Sequence, residues 1–249
     1  MMKIIPIYVD EAGRWPLAWP MFVGLLLSLK QFSDDDLKMF DDSKKLTEKK
    51  REILFSEILK KEEKSELLWE VVSVTSEEID LYGMTIAEQI AIVRWFFKIL
   101  SRWWQHFSLP NAIATILTKK SHTLSECNQI LSFFEKEKEI IFQLVIDGNR
   151  TFWIEKILPT VLLKTIVHGD ALVKEIGMAS ILAKVSRDHL MITLSKQYPL
   201  YHFEIHKGYG TKLHKNLIDQ YWPCEIHRKL FLKWIFPDHN ILKLPPKEY

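Results

Sequence analysis

Glycine is scarce in this sequence, with 8 residues in 249, about half the ~7% of ordinary globular chains. Few positions are therefore free to turn left-handed or to approach a ligand without a side chain in the way. Cysteine is nearly absent. Cys127 and Cys224 are too few for a disulfide framework, and a reducing, cytoplasmic setting is the expectation. The longest apolar run, residues 21–29, falls far short of the roughly 20 residues of a membrane helix, so no membrane association is expected. Acidic residues and prolines precede that run, which does not suit a signal peptide. A large net charge is missing as well, at +2. Charge alone does not announce nucleic acid, and any basic surface must be local. The chain has no G-x-x-x-x-G-K-[ST] and no G-x-S-x-G, which leaves P-loop and serine-hydrolase chemistry without support. His168, His206, His214 and His227 match no zinc-ligand spacing, and there is no C-x-x-C.

What is present is a core-forming composition, 47% hydrophobic, and nine tryptophans. The length suits one large domain with an appendage. Short apolar runs at 3–10 and 20–30 read as strands. Thr47 reads as the N-cap of a helix with Ile53, Leu54, Ile58 and Leu59 on one face. "LLWEVVSVTS" is a further strand, followed by a helix from Ser76 with Ile79, Ile86, Ile90 and Val93 as its stripe. Residues 99–140 are the least legible, helical or irregular. Trp95, Trp103 and Trp104 read as core, because helical aromatic stripes pack inward. "EIIFQLVIDGNR" and "TVLLKTIVHGD" read as strands ending at Asp147 and Asp170. "ASILAKVSRDHLMITLSKQY" is a periodic helix, and another lies near "TKLHKNLIDQYW". Strands alternating with helices predict an α/β domain, with a helical segment over the last ~50 residues.

Three acidic sites stand at the ends of apolar strands: Asp10-Glu11, Asp147 and Asp170. Any one of them is most simply a helix cap or a turn residue. Their recurrence at strand ends, where α/β sheets bind ligands, points to chemistry. Four converging carboxylates repel one another in a low dielectric, so a positive partner is required. All-oxygen ligands select a hard cation, Mg²⁺ or Mn²⁺, and paired ions of this kind serve phosphodiester cleavage. A second pattern, "YHFEIHKGYGTKLH", alternates aromatic rings with Lys and His. Tyr209, between two glycines, suits stacking on a sugar or base. Lys207 and Lys212 suit phosphate, although a basic surface loop also reads this way.

With these residues assembled, the sequence resembles type 2 ribonuclease H, the bacterial ribonuclease HII group. The resemblance runs nearly end to end through "VDEAGR", "DSKKLTEKKRE", "IDGNR", "GDALVKEIGMASILAKVSRD", "HKGYGTKLH" and "PCEIHRK". It implies an RNase H-like mixed five-stranded sheet flanked by helices, with a C-terminal helical segment. It divides the chain into a catalytic domain over 1–195, with 99–140 as an insertion, and a substrate-binding segment over 196–249. It implies two-metal-ion cleavage, with Mg²⁺ or Mn²⁺, of the RNA strand in RNA–DNA hybrids and at ribonucleotides embedded in duplex DNA. The ends left are 5′-phosphate and 3′-hydroxyl. Asp10, Glu11, Asp147 and Asp170 match the catalytic, metal-binding set. Gly13, Arg14 and Trp15 match the loop whose backbone meets the ribose 2′-hydroxyl. Tyr209 matches the tyrosine that stacks on the following deoxyribose. Lys44, Lys45, Lys184, Arg187, Lys207 and Arg228 fall in motif stretches where phosphate contact is expected. A monomer is the default state.

The chain departs from the family pattern at particular places. Trp15, Trp19 and Trp222 stand where the pattern has glycine, as does His202, and Leu230 replaces a small hydroxyl residue. Trp15 puts an indole where the substrate sugar is expected, with backbone strain if its φ is positive; an outward ring would instead stack on nucleic acid. Two readings result: an active ribonuclease H, or a catalytically impaired descendant that binds hybrid. A different nuclease of the same general fold is a weaker third.

Overall fold

The computed structural model describes residues 2–40, 46–103, 113, 115, 116 and 123–236. Five strands form one mixed sheet: β1 (Lys3–Ala12), β2 (Met21–Ser28), β3 (Leu67–Val74), β4 (Ile140–Asp147) and β5 (Leu162–Ile166), in the order β3-β2-β1-β4-β5. β1 pairs antiparallel with β2, and β2 with β3. β4 lies parallel to both β1 and β5. The expected strand through "TVLLKTIVHGD" is thus shorter than its apolar run. It stops at Ile166, and Asp170 lies beyond it in a helical turn, Gly169–Leu172.

The longer helices are α1 (Glu48–Glu63), α2 (Ser76–Tyr82), α3 (Met84–Trp103), α4 (Leu124–Lys138), α5 (Lys174–Gln197), α6 (Lys212–Tyr221) and α7 (Lys229–Ile235). Their starts follow local chemistry. Thr47 Oγ1 accepts from the Lys50 amide, as the sequence predicts. Thr75 with Glu78, and Thr123 with Glu126, form reciprocal capping boxes that satisfy amide groups the helix leaves open.

Both faces of the sheet are covered. On one, α3 and α4 pack aromatic side chains against β4, with Trp95, Phe96, Phe134 and Phe142 fully or nearly fully buried. Trp95 and Trp103 are core residues, as expected; Trp104 lies outside the described residues. On the other face, Leu54 and Ile58 of α1 meet Met178, Ile181 and Leu182 of α5. Helix α5 sits so close to β2 that a Cβ on Gly24 would lie 2.4 Å from the Ala179 carbonyl oxygen. That contact sets the depth of α5, and with it the position of every side chain that α5 sends toward the strand ends. Residues 199–236 form a small helical lobe around Tyr201, Phe203, Leu217 and Ile226, packed on Met191 and Leu194 of α5. Cys127 and Cys224 are both free thiols.

Candidate active site

The register of the two central parallel strands pairs Val9 with Ile146, so the next residues, Asp10 and Asp147, stand side by side where that pairing ends. From β5 the chain turns through His168, at φ 57°, into the helical turn that carries Asp170. The Gly169 amide donates to Asp147 Oδ1 at 2.6 Å, which ties that turn to the end of β4. As a result, Asp10, Asp147 and Asp170 each offer a carboxylate oxygen, and the three oxygens lie within 4.8 Å of one another. Asp10 and Asp170 are both 2% exposed. Burial is the main reason the Asp10 carboxyl is held well above the usual carboxylate range. The charges of Glu11 and Asp147 push it the same way, and a hydrogen bond from Ser180 opposes them. Three carboxylate oxygens this close, two of them on buried residues, fit a hard divalent cation, whose charge offsets their repulsion.

Asp10 and Asp147 open into a cleft of about 410 Å³. Glu11 and the residues Gly13, Arg14 and Trp15 form one side; Tyr209, Lys184 and Arg51 also line it. Lys184 bonds Asp188 one helical turn on, at 2.8 Å. Tyr209 lies beneath two cations, with Lys184 Nζ 5.7 Å and Arg187 Cζ 5.4 Å from its ring centre. Trp15 is 71% exposed and does not have a positive φ. The strain considered for it is therefore absent, and its ring stands outward at the lip of the cleft, 5.6 Å from the Arg14 guanidinium carbon.

Other expected contacts are placed differently. Arg187 and Arg228 are fully buried, so neither reaches a phosphate. Arg228 donates to the carbonyls of Gly13 (2.6 Å), Arg14 (2.9 Å) and Trp19 (2.8 Å). Arg187 donates to those of Ala18 (3.4 Å) and Pro20 (3.3 Å). Two buried cations thus hold the whole 13–20 loop by its backbone oxygens. The Arg14 side chain also turns inward, to an ion pair with Glu88. Lys207 donates to the Glu204 carbonyl at 2.6 Å and does not line the cleft. Lys44 and Lys45 lie outside the described residues.

Ser180, Arg51 and Glu88 were not singled out from the sequence. Ser180 had a signal: with Lys184 and Arg187 it makes an i, i+4, i+7 row on α5. Glu88 had one too, as the charged member of an apolar stripe with Ile92 and Trp95. Burial pushes the Glu88 carboxyl up to about 7, against the pull of Arg14 and with the push of Glu11.

Comparison with known proteins agrees with this geometry. The profile of the family described as Ribonuclease HII matches residues 7–98 and 115–234; it skips 99–114, a shorter stretch than the 99–140 read from the sequence. The chain is 36% identical to the ribonuclease HII of Caldicellulosiruptor saccharolyticus over 226 residues, covering 90% of this chain and 85% of that one. It is 38% identical to that of Fusobacterium nucleatum over 230 residues, covering 91% and 85%. Among solved structures, the ribonuclease H2 of Pyrococcus horikoshii superposes with a TM-score of 0.57 at 19% identity, covering 94% of this chain and all of that one. The ribonuclease HII of Archaeoglobus fulgidus, solved in complex with PCNA, gives 0.56 at 19%, covering 98% and 97%. These two likenesses concern the fold alone. With the family profile spanning most of the chain and relatives above 30% identity, the chain belongs to the ribonuclease HII family.

Proposed function

We propose that this metal-dependent ribonuclease H hydrolyses the RNA strand of RNA–DNA hybrids and the linkage at ribonucleotides embedded in duplex DNA. The products are 5′-phosphate and 3′-hydroxyl ends. The observation that carries the reading is the meeting of Asp10, Asp147 and Asp170 within 4.8 Å, in a cleft flanked by Gly13 and Tyr209. Asp10, Glu11, Asp147 and Asp170 would hold two ions, Mg²⁺ or Mn²⁺. Bound there, such ions activate a water and offset charge on the leaving oxygen.

The remaining work falls to the chain's own residues. Because a trans peptide sets its C=O and N–H on opposite sides, the Gly13 and Arg14 carbonyls held by Arg228 aim the Arg14 and Trp15 amides the other way. Those amides suit recognition of a 2′-hydroxyl, the group that tells RNA from DNA. Tyr209, with two cations over its ring, offers a flat face for the neighbouring deoxyribose. Lys184 supplies positive charge to the backbone phosphates from the same wall.

A second reading, a hybrid-binding chain with impaired catalysis, rests on Trp15, whose exposed indole stands at the lip where the sugar enters. One assay separates the two. Duplex DNA carrying a single ribonucleotide is incubated with Mg²⁺ or Mn²⁺ and the cut strand is quantified. The chain is expected to cleave, Asp10→Asn to abolish cleavage, and Trp15→Gly to raise it. No cleavage with either ion supports the second reading, and no gain from Trp15→Gly refutes the steric role of that indole.

A further inference from the structure

Three buried histidines outside the carboxylate cluster pack together, His214 hydrogen-bonded to His227 and stacked on His206. His206 Nε2–H donates to the Tyr201 carbonyl at 2.7 Å, and its Nδ1 accepts from the Gly208 amide at 3.2 Å. His214 Nδ1–H donates to the Tyr209 carbonyl at 3.0 Å. Its Nε2 is then an acceptor, and His227 Nε2–H supplies the donor at 3.1 Å. His227 Nδ1 in turn accepts from the Cys224 amide at 3.1 Å. A single set of tautomers satisfies every ring nitrogen and leaves all three rings neutral. Burial agrees, pushing the His214 and His227 rings down to about 3. The His206 and His214 rings also stack, 4.1 Å apart and 18° from parallel, with Phe203 edge-on to both.

A satisfied buried histidine is usually no more than core. Here two of the bonds end on the backbone groups on either side of one aromatic residue: the amide before Tyr209 and the carbonyl of Tyr209 itself. The Tyr209 phenol ring reaches the cleft, while its backbone is gripped from behind. We propose that His206 and His214 are positioning residues for the cleavage reaction, fixing the backbone at Tyr209 so that its ring meets the substrate at a set height. The proposal rests on the reading of Tyr209 as a substrate contact.

The test is a double-mutant cycle on the single-ribonucleotide duplex, with folding followed by thermal melting. Tyr209→Ala is expected to lower kcat/KM by about tenfold or more, and His214→Leu by about tenfold, mainly through KM. His214→Asn, whose amide nitrogen can donate to the Tyr209 carbonyl from the Nδ1 position, is expected to stay within about threefold. The His214→Leu, Tyr209→Ala double variant is expected to be no worse than Tyr209→Ala alone. Losses that multiply in the double variant overturn the proposal, because they show that His214 acts elsewhere. If Tyr209→Ala cleaves normally, the reading of Tyr209 itself fails, and the positioning role falls with it. Should His214→Leu not fold, the same cycle is run with His206→Asn, which keeps an acceptor for the Gly208 amide, against His206→Gln, which moves it.

A second observation stands apart from the first. Among the described residues, nine other than glycine have φ in the left-handed range, and three of them are tryptophans: Trp19 at 71°, Trp153 at 55° and Trp222 at 64°. Such angles are uncommon outside glycine, and a bulky residue there is an outlier. Glycine is what these backbones suit, and it is the residue in short supply. The tryptophan codon UGG differs by one base from UGA, which some bacterial codes read as tryptophan and others as glycine. We infer that positions 19, 153 and 222, and by its motif position 15, are encoded by UGA and filled with glycine in the cell that makes this chain. Trp95 and Trp103, whose indoles fill the core, are encoded by UGG. The gene's codons and the masses of peptides from the native protein decide it. UGA at the four positions with glycine-mass peptides is the expected result. UGG at 19, 153 or 222, or tryptophan in those peptides, overturns the inference.

Discussion

Single residues in this chain carry unequal loads. Trp19 and Trp222 hold left-handed backbone that costs a side-chain-bearing residue about 1–3 kcal/mol. Trp19→Gly and Trp222→Gly are therefore expected to raise the melting temperature, each by roughly 2–6 °C for a chain of this size; calorimetry that shows a decrease would refute the strain. Glu88 carries a load of another kind. In the fold it titrates near 7, above its ordinary 4.5, because burial outweighs the pull of Arg14. Between those values the folded chain binds more proton than the unfolded one, so this carboxyl favours folding below about pH 4.5. That contribution is lost as pH rises through 7, an effect on the order of 3 kcal/mol. Glu88→Gln removes the titration, and the drop in melting temperature from pH 5 to pH 8 is expected to narrow. An unchanged drop would show that Glu88 is not the titrating group.

At the scale of elements, the site depends on how two strands and one helix are placed. β1 and β4 put Asp10 and Asp147 side by side through parallel register, and α5 adds Ser180 and Lys184 from above. The depth of α5 is set by Gly24, where a methyl group would come within 2.4 Å of the Ala179 carbonyl. Backbone cannot yield there as a flexible side chain would. Gly24→Ala is expected to lower the melting temperature and kcat/KM together, since Ser180, Lys184 and Arg187 all ride on the displaced helix. Normal cleavage by a destabilised Gly24→Ala protein would show that the helix does not set the site.

At the scale of the whole molecule, a net charge of +2 provides little long-range pull on a polyanion, so binding must come from local cations. Lys184 lines the cleft, whereas Arg187 and Arg228 are sealed inside holding the 13–20 loop. Affinity for the duplex, measured against salt, separates these roles. Lys184→Ala is expected to reduce the slope of log K on log salt by about 1. Arg228→Ala is expected to leave that slope alone and to cost stability, because three carbonyls lose their donor. A slope lowered equally by both would place Arg228 on the phosphates after all.

Much of this was legible in the sequence, because it depends on local order: alternating apolar runs, the cap at Thr47, and acids at the ends of strands. Those patterns are written in neighbouring residues, and neighbours alone decide them. The buried arginines were not legible. Arg187 and Arg228 sit in basic, motif-like stretches that read as phosphate contacts, and only packing reveals that their partners are backbone oxygens up to 215 positions away. The end of β5 was misjudged for a similar reason. Its apolar run continues past Ile166, and the tie from Gly169 to Asp147 that folds the chain back exists only once β4 lies alongside. Sequence by itself determined which elements form and which carboxylates stand at their ends. Tertiary structure alone decided which charges face the cleft, because burial and long-range hydrogen bonding belong to the assembled chain and not to any segment of it.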